Sequence, residues 1–241
     1  METVKKNLYK DKRCFIVGTG SSLDTVDMSL LENETTIGIN LILHKKDFVP
    51  DYLCVADSQV MKHNYGTVFS DRMSSGTYVI GNGCKMTGKG NCTNGPGSTC
   101  IGVRLDPTFK NIYTLEHWEK SGIFINHVND ERDNLLKTDE YYIDDENFDV
   151  FTSYGGSTID NLAIPLAVYL GFKDIYLLGC DGGWNHFYDR VQRDGKREWI
   201  NYNHVKKELD KYGINLVNCD VTNAFKELDY KKLEEVLNQT S

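Results

Sequence analysis

With 241 residues the chain is long enough for one sizeable α/β core and sits near the upper end for a single domain. A formal net charge of −8, with 26% charged residues and a pI of about 5.3, argues against a protein that grips a phosphate backbone, so nucleic acid is not an expected partner. Residues 1–12 are polar and no run approaches the roughly 18 apolar residues of a spanning helix; seven cysteines in apolar and glycine-rich settings fit a reducing compartment, so the expected location is the cytoplasm, with no transmembrane segment.

The first ordered stretch is Cys14 to Leu23, C-F-I-V-G-T-G-S-S-L. Phe15, Ile16 and Val17 have the length and branching of a strand buried on both faces, and the glycines after it supply a tight turn at the sheet's carboxyl edge, where open parallel sheets bind ligands. With no Cβ at Gly18 and Gly20 the backbone can approach a phosphate or ribose, and Ser21 or Ser22 can cap a helix whose free N–H groups favour an anion. The stretch reads as a nucleotide-binding turn, with a turn that binds nothing as the alternative. It lacks the third glycine of the dinucleotide fingerprint, and the missing Gly-Lys-Ser or Gly-Lys-Thr excludes a Walker P-loop.

Asp24 to Leu31 fits a short helix or a turn of one. The next strand is Thr36 to Ile42, where Asn40 either bonds backbone in the core or faces a ligand crevice. Tyr52 to Ala56 is a third strand, stopping at Asp57 and Ser58, and Thr77 to Gly81 reads as another. In residues 81–107, Cys84, Cys92 and Cys100 lack the C-x2-C pairs of structural zinc sites, so an irregular loop or β excursion is expected and no metal site. His117, His127 and the acidic run Asp139 to Asp149 read as solvated surface.

Gly155 and Gly156 then make a turn, Ser157 or Thr158 can cap, and Ile159, Leu162, Ala163, Leu166, Ala167 and Leu170 repeat at helical spacing until Gly171. Pro165 inside that helix costs about 3 kcal/mol unless a kink is wanted. Ile175 to Leu178 is a buried strand closed by Gly179-Cys180-Asp181. The glycine- and aromatic-rich segment after it reads as a lid over residues 182–204 or as a plain surface loop. A helix from about Ile200 to Tyr212, a strand Ile214 to Val217 and a closing helix Tyr230 to Leu237 complete the chain. The expected fold is α/β and Rossmann-like: one nucleotide-binding domain with a mostly parallel open sheet flanked by helices, a variable insertion at 61–150 and a mobile lid.

The set F-I-V-G-T-G-S-S-L-D, I-G-I-N, D-Y-L-C-V-A-D-S, Y-G-G-S-T-I-D-N-L-A-I-P-L-A-V-Y-L-G-F-K-D-I-Y-L-L-G-C-D, N-H-F-Y-D and G-I-N-L-V-N-C resembles the 6-hydroxymethylpterin diphosphokinase-like family. That family shares its Rossmann-like core with the bacterial α-2,3-sialyltransferases and the flagellin-modifying motility accessory factors. The resemblance covers residues 13–60 and 152–220. It implies nucleotide contacts from Gly18, Thr19, Gly20, Ser21, Ser22, Asn40, Asp57, Ser58, Gly156, Ser157 and Thr158. Thr19 and Ser21 replace the Asn and Pro of the sialyltransferase turn G-N-G-P-S, Asn40 is retained, and Asp57-Ser58-Gln59 replaces Asn-Pro-Ser. Thr158 falls on the Thr of R-x-T-S-G, but Gly156 stands where those enzymes have Arg, which tells against sialic acid as the specific donor.

The resemblance further implies a general base in the lid, either His186 or His204, since an imidazole titrates near neutrality. Tyr188 would stabilise a departing phosphate. Asp181 ends its strand among these catalytic candidates. The implied reaction is transfer of a sugar, sialic-acid-like or related, from a nucleotide donor activated by CMP to a hydroxyl on a glycan or small-molecule acceptor, with no metal required. The insertion 61–150 would recognise the acceptor. An alternative is a diphosphokinase, in which Asp57 and Asp181 hold Mg²⁺ on ATP and a pterin-like alcohol attacks. A nucleotide-binding module without catalysis is a third reading, and a homo-oligomer stays open. All of these expect residues 18–22, 40, 57–58, 157–158 and 181 to gather around one hollow.

Overall fold

The computed structural model describes residues 6–55, 78–81, 112–113, 141–144, 149–152, 158–189, 202–220, 222 and 225–239. An eight-stranded sheet organises them. Its strands are β1 (Arg13–Val17), β2 (Thr36–Ile39), β3 (Tyr52–Val55), β4 (Tyr78–Gly81), β5 (Ile112–Tyr113), β8 (Asp174–Leu178), β9 (Asn215–Asn218) and β10 (Asp229–Tyr230). β6 (Tyr141–Asp144) and β7 (Asp149–Thr152) form a separate antiparallel pair. The main sheet runs β10-β9-β8-β1-β2-β3-β4-β5, and every neighbouring pair is parallel. This is the expected Rossmann-like α/β sheet.

Both faces of the central strands are covered, which is why β1, β2, β3 and β8 are buried along nearly their whole length. Along β1, Cys14 and Ile16 enter one core while Phe15 and Val17 enter the other; along β8, Ile175 and Leu177 part in the same way from Tyr176 and Leu178. The first core is closed by α1 (Ile164–Leu170) and α2 (Asn203–Lys211), through Leu166, Leu170, Val205 and Leu209. The second is closed by short 3-10 turns bearing Leu23, Met28, Leu31, Ile42 and Leu43, and by α3 (Leu233–Leu237).

Several elements differ from expectation for local reasons. Ser21–Thr25 and Met28–Leu31 are two 3-10 turns, the second capped by the Asp27 side chain on the Ser29 N–H, so no α-helix follows β1. β2 ends at Ile39 because Asn40 turns left-handed at φ 49°, a conformation Asn tolerates better than most residues. The helix expected from Ser157 or Thr158 begins as a π-helical turn, Ile159–Ala163, and becomes α-helical only at Ile164. Pro165 is the second residue of α1, which directly follows the π-helical turn. Gly171 ends α1 at φ +92°, and a β-carbon there would press on Asn7 at 3.0 Å.

Tyr230 belongs to the edge strand β10, so the closing helix starts later, at Leu233. The acidic run expected as plain surface includes the β6–β7 pair. Within 61–150, β4 and β5 extend the main sheet; Cys84, Cys92, Cys100, His117 and His127 lie outside the described residues. Cys14, Cys54, Cys180 and Cys219 are buried free thiols, and no described helix is long and apolar enough to cross a membrane.

Candidate functional site

The strand order reverses between β1 and β8: the chain steps outward from β1 to β5 on one side and from β8 to β10 on the other. Ligands of open α/β sheets bind at such a reversal, beyond the carboxyl ends of the strands. Here β1 pairs with β8 up to Val17 and Leu178, so the turn at Gly18 and the turn at Gly179 leave the sheet side by side. Gly18 N–H donates to Leu178 O at 2.7 Å, and Gly20 N–H to Gly179 O at 2.7 Å. A β-carbon on Gly18 would overlap the Gly179 carbonyl, and one on Gly20 would come within 2.5 Å of the Asp181 carboxyl carbon. The bare faces of both glycines are thus filled by the neighbouring loop, and the close approach they permit is of protein to protein.

The expected cap is also supplied from across the sheet. Neither Ser21 nor Ser22 caps the 3-10 turn, whose N-cap position is Gly20. Instead Asp181 accepts the Ser22 N–H at 2.8 Å, the Ser22 hydroxyl, and the Ser21 hydroxyl at 3.4 Å. A carboxylate of the protein therefore occupies the positive end of the turn, where an anion was expected. The same bonds engage both oxygens of Asp181 with donors.

Behind Ser22 lies Asp220, only 1% exposed and just past β9. It accepts the N–H groups of Gly179 and, at 3.0 Å, of Cys180, and its Oδ1 lies 3.4 Å from the Ser22 hydroxyl. Burial first, and then the charge of Asp181, push its carboxyl up to about 7 against the pull of those donors. Ser22 has a single hydroxyl proton for two carboxyl groups. Burial likewise pushes the Cys180 thiol well up, so it behaves as a neutral packing group.

The start of the expected lid folds back onto this turn. His186 makes an antiparallel bridge with Gly20, Phe187 N–H donates to Thr19 O at 3.1 Å, and His186 Nδ1 lies 2.8 Å from Thr19 Oγ1. Tyr188 stacks on the His186 ring, with centroids 5.1 Å apart and planes 5° from parallel, and also touches the His44 ring at 5.1 Å. Asp189 Oδ2 accepts the His186 N–H at 3.3 Å. His204 sits elsewhere, half-buried in the first turn of α2 between Tyr202 and Val205 of the first core. Residues 190–201 of the expected lid lie outside the described residues.

Next to the glycine turn, at the end of β2, Thr158 Oγ1 donates to Asn40 Oδ1 at 3.0 Å. Thr158 is helical and makes no capping bond, so its hydroxyl joins α1's leading turn to the β2 edge. Asp57, Ser58, Gly156 and Ser157 lie outside the described residues. The described candidates thus form two neighbouring groups along one sheet edge: Gly18 to Ser22 with Asp181, His186 and Tyr188, and Asn40 with Thr158. Sequence reasoning missed Asp220 and His44. Asp220 carries a weaker form of the signal used for the other strand ends, a polar residue shortly after the apolar pair Leu216-Val217. His44 carries none, since its place beside Tyr188 depends on the turn at Asn40.

No protein-family model matches the chain, and no curated protein matches it at a significant level. Among solved structures it is similar to the MAf glycosyltransferase from Magnetospirillum magneticum AMB-1, with TM-score 0.55 and 16% identity over 97% of this chain and 35% of that one, so it spans about a third of that protein. It is also similar to the sialyltransferase CstII from Campylobacter jejuni, solved with the substrate analogue cytidine-5'-monophosphate, with TM-score 0.50 and 14% identity over 91% of this chain and 85% of that one. At these identities the likeness is one of fold. Both neighbours are glycosyltransferases, and they lend no support to the diphosphokinase side of the resemblance.

Two outcomes follow from the loop crossing. Gly18→Ala lowers unfolding free energy by about 1–3 kcal/mol in a denaturant titration, because the Gly179 backbone must move to admit a methyl group; an unchanged midpoint contradicts the packing. For Asp220 the folded carboxyl titrates above its unfolded value, so the folded state holds the extra proton between about pH 4 and about pH 7. The stability this group contributes is full below that window and is lost as pH rises through it. Asp220→Asn cannot titrate, so the melting temperature of the native protein falls relative to the variant as pH rises from about 4 to about 8. A pH-independent difference contradicts the raised carboxyl.

Proposed function

We propose that the chain is a glycosyltransferase that takes a sugar from a nucleotide donor activated by CMP and passes it to a hydroxyl acceptor, with His186 as the general base. The observation that carries this reading is the docking of His186 onto Thr19 and Gly20 at the β1–β8 reversal. The fold likeness to two glycosyltransferases, one solved with cytidine-5'-monophosphate, supports the class of reaction and the choice of nucleotide. Gly156 in place of an arginine leaves the donor sugar outside the strict sialic-acid type.

In this reaction the His186 imidazole takes the proton of the acceptor hydroxyl. The acceptor oxygen bonds the anomeric carbon, and the bond from that carbon to the phosphate oxygen breaks, its electron pair leaving with CMP. An imidazole suits the proton step because its ordinary range lies near the working pH. The N–H groups of Gly18, Gly20 and Ser22 are committed to Leu178, Gly179 and Asp181, so in this reading the donor draws on the rest of the edge, with Asn40 and Thr158 on the β2 side. Preorganised polar groups of this kind favour charge developing on a leaving phosphate. Asp57, Ser58 and Ser157 extend that edge in the proposal, and residues 61–150 supply acceptor contacts. No observation favours the diphosphokinase, and the fold likeness is to glycosyltransferases.

A thermal-shift panel of nucleotides with and without Mg²⁺ tests the reading: CMP or CDP raises the melting temperature in EDTA, and ATP with Mg²⁺ does not. His186→Ala then lowers turnover of a CMP-sugar by about 10²–10⁴-fold while the melting temperature holds. Stabilisation by ATP alone, with activity abolished by EDTA, overturns the assignment.

A further inference from the structure

The described surface offers one histidine whose ring is constrained on an edge and on a face at once. His186 Nδ1 lies 2.8 Å from the Thr19 hydroxyl, a buried group only 6% exposed, and Tyr188 lies flat against the ring, itself in contact with His44. The backbone reinforces this placement, through the Gly20 bridge and the Phe187 N–H bond to Thr19 O on the N-terminal side of Tyr188, and through Asp189 accepting the His186 N–H.

A neutral imidazole carries one proton on two nitrogens, and the partner of one nitrogen decides which state the other adopts. A hydroxyl can accept from Nδ1–H or donate to Nδ1, and only the first leaves the lone pair on Nε2, the nitrogen turned away from Thr19. A ring stacked on Tyr188 cannot turn freely about its last side-chain bond, so Nδ1 and Nε2 stay in fixed places. Threonine here would do the orienting work that a carboxylate does in hydrolase triads, without adding a negative charge beside a departing phosphate.

We propose that Thr19 and Tyr188 are positioning residues for His186: Thr19 accepts the Nδ1–H and so holds the neutral ring with its lone pair on Nε2, while Tyr188 holds the ring plane. This rests on the reading of His186 as the base, but its first test does not need turnover. Long-range ¹H–¹⁵N spectra of the labelled protein, with the His186 ring assigned by its loss in His186→Gln, report which nitrogen carries the proton. The expected result is Nδ1 protonated and Nε2 unprotonated in the native protein and in Thr19→Ser, with Thr19→Val moving the ring toward the other tautomer. A native ring protonated on Nε2, or the same tautomer in Thr19→Val as in the native protein, overturns the proposal.

With a CMP-sugar that turns over, Thr19→Val lowers kcat about tenfold or more and leaves the donor KM within about twofold, and Thr19→Ser restores kcat. Equal effects of Val and Ser, or a change in KM alone, overturn it. If no nucleotide sugar turns over yet the ring is protonated on Nδ1 and responds to Thr19→Val, the positioning pair stands and the transferase reading fails.

Discussion

The contact on which this structure depends is the crossing of two backbone loops at the carboxyl edge of the sheet. Gly18 and Gly20 lie against Gly179 and Asp181 so closely that no β-carbon fits between them. Because β1 and β8 are central and parallel, both loops leave the sheet at the same level. The Gly20–Gly179 hydrogen bond and the Asp181 cap on Ser22 then fix their relative position. His186 is positioned by the same crossing, since its partners are Thr19 and Gly20.

This changes what a glycine-rich turn after a first strand signifies. In dinucleotide and P-loop folds the glycines clear space for phosphate and the helix N-terminus faces it. Here the cleared space holds a second protein loop, and the turn's free end is closed by Asp181. Three of the turn's N–H groups, those of Gly18, Gly20 and Ser22, are taken by protein partners. Asp220 is the anchor beneath it: a buried carboxyl accepting the N–H groups of Gly179 and Cys180, tied to Asp181 through Ser22. Buried backbone donors need such partners, and a carboxyl shared among them holds the loop in one shape.

Much of the sheet was legible because its signals are local. Phe15 to Val17, Tyr52 to Val55 and Ile175 to Leu178 are apolar runs bounded by turn residues, and each is a strand. Gly171 ended its helix as expected, for the same left-handed reason. The short 3-10 turn Met28–Leu31 fits the reading of residues 24–31 as a turn of helix. The Asp181 cap on the Ser22 N–H and the π-helical start before Pro165, where Asn40 takes the Thr158 hydroxyl, were not legible because they depend on tertiary partners. β10 was missed because two residues at a sheet edge carry no periodicity. His186 was legible as a candidate, but its separation from His204 was not, since that depends on how the segment after Asp181 folds back to Thr19.

A nucleotide lying along this edge must touch both of its neighbouring groups, the Thr19–His186 pair and the Asn40–Thr158 pair, and leave the far ends of the strands undisturbed. Titration of ¹⁵N-labelled protein with CMP, followed amide by amide, measures this directly. The expected result is saturable shifts at Thr19, Asn40, Thr158 and His186, with Arg13, Thr36 and Asp174 at the opposite ends of β1, β2 and β8 unmoved. Shifts confined to those opposite ends, or none at saturating CMP, would contradict a nucleotide site at the β1–β8 reversal.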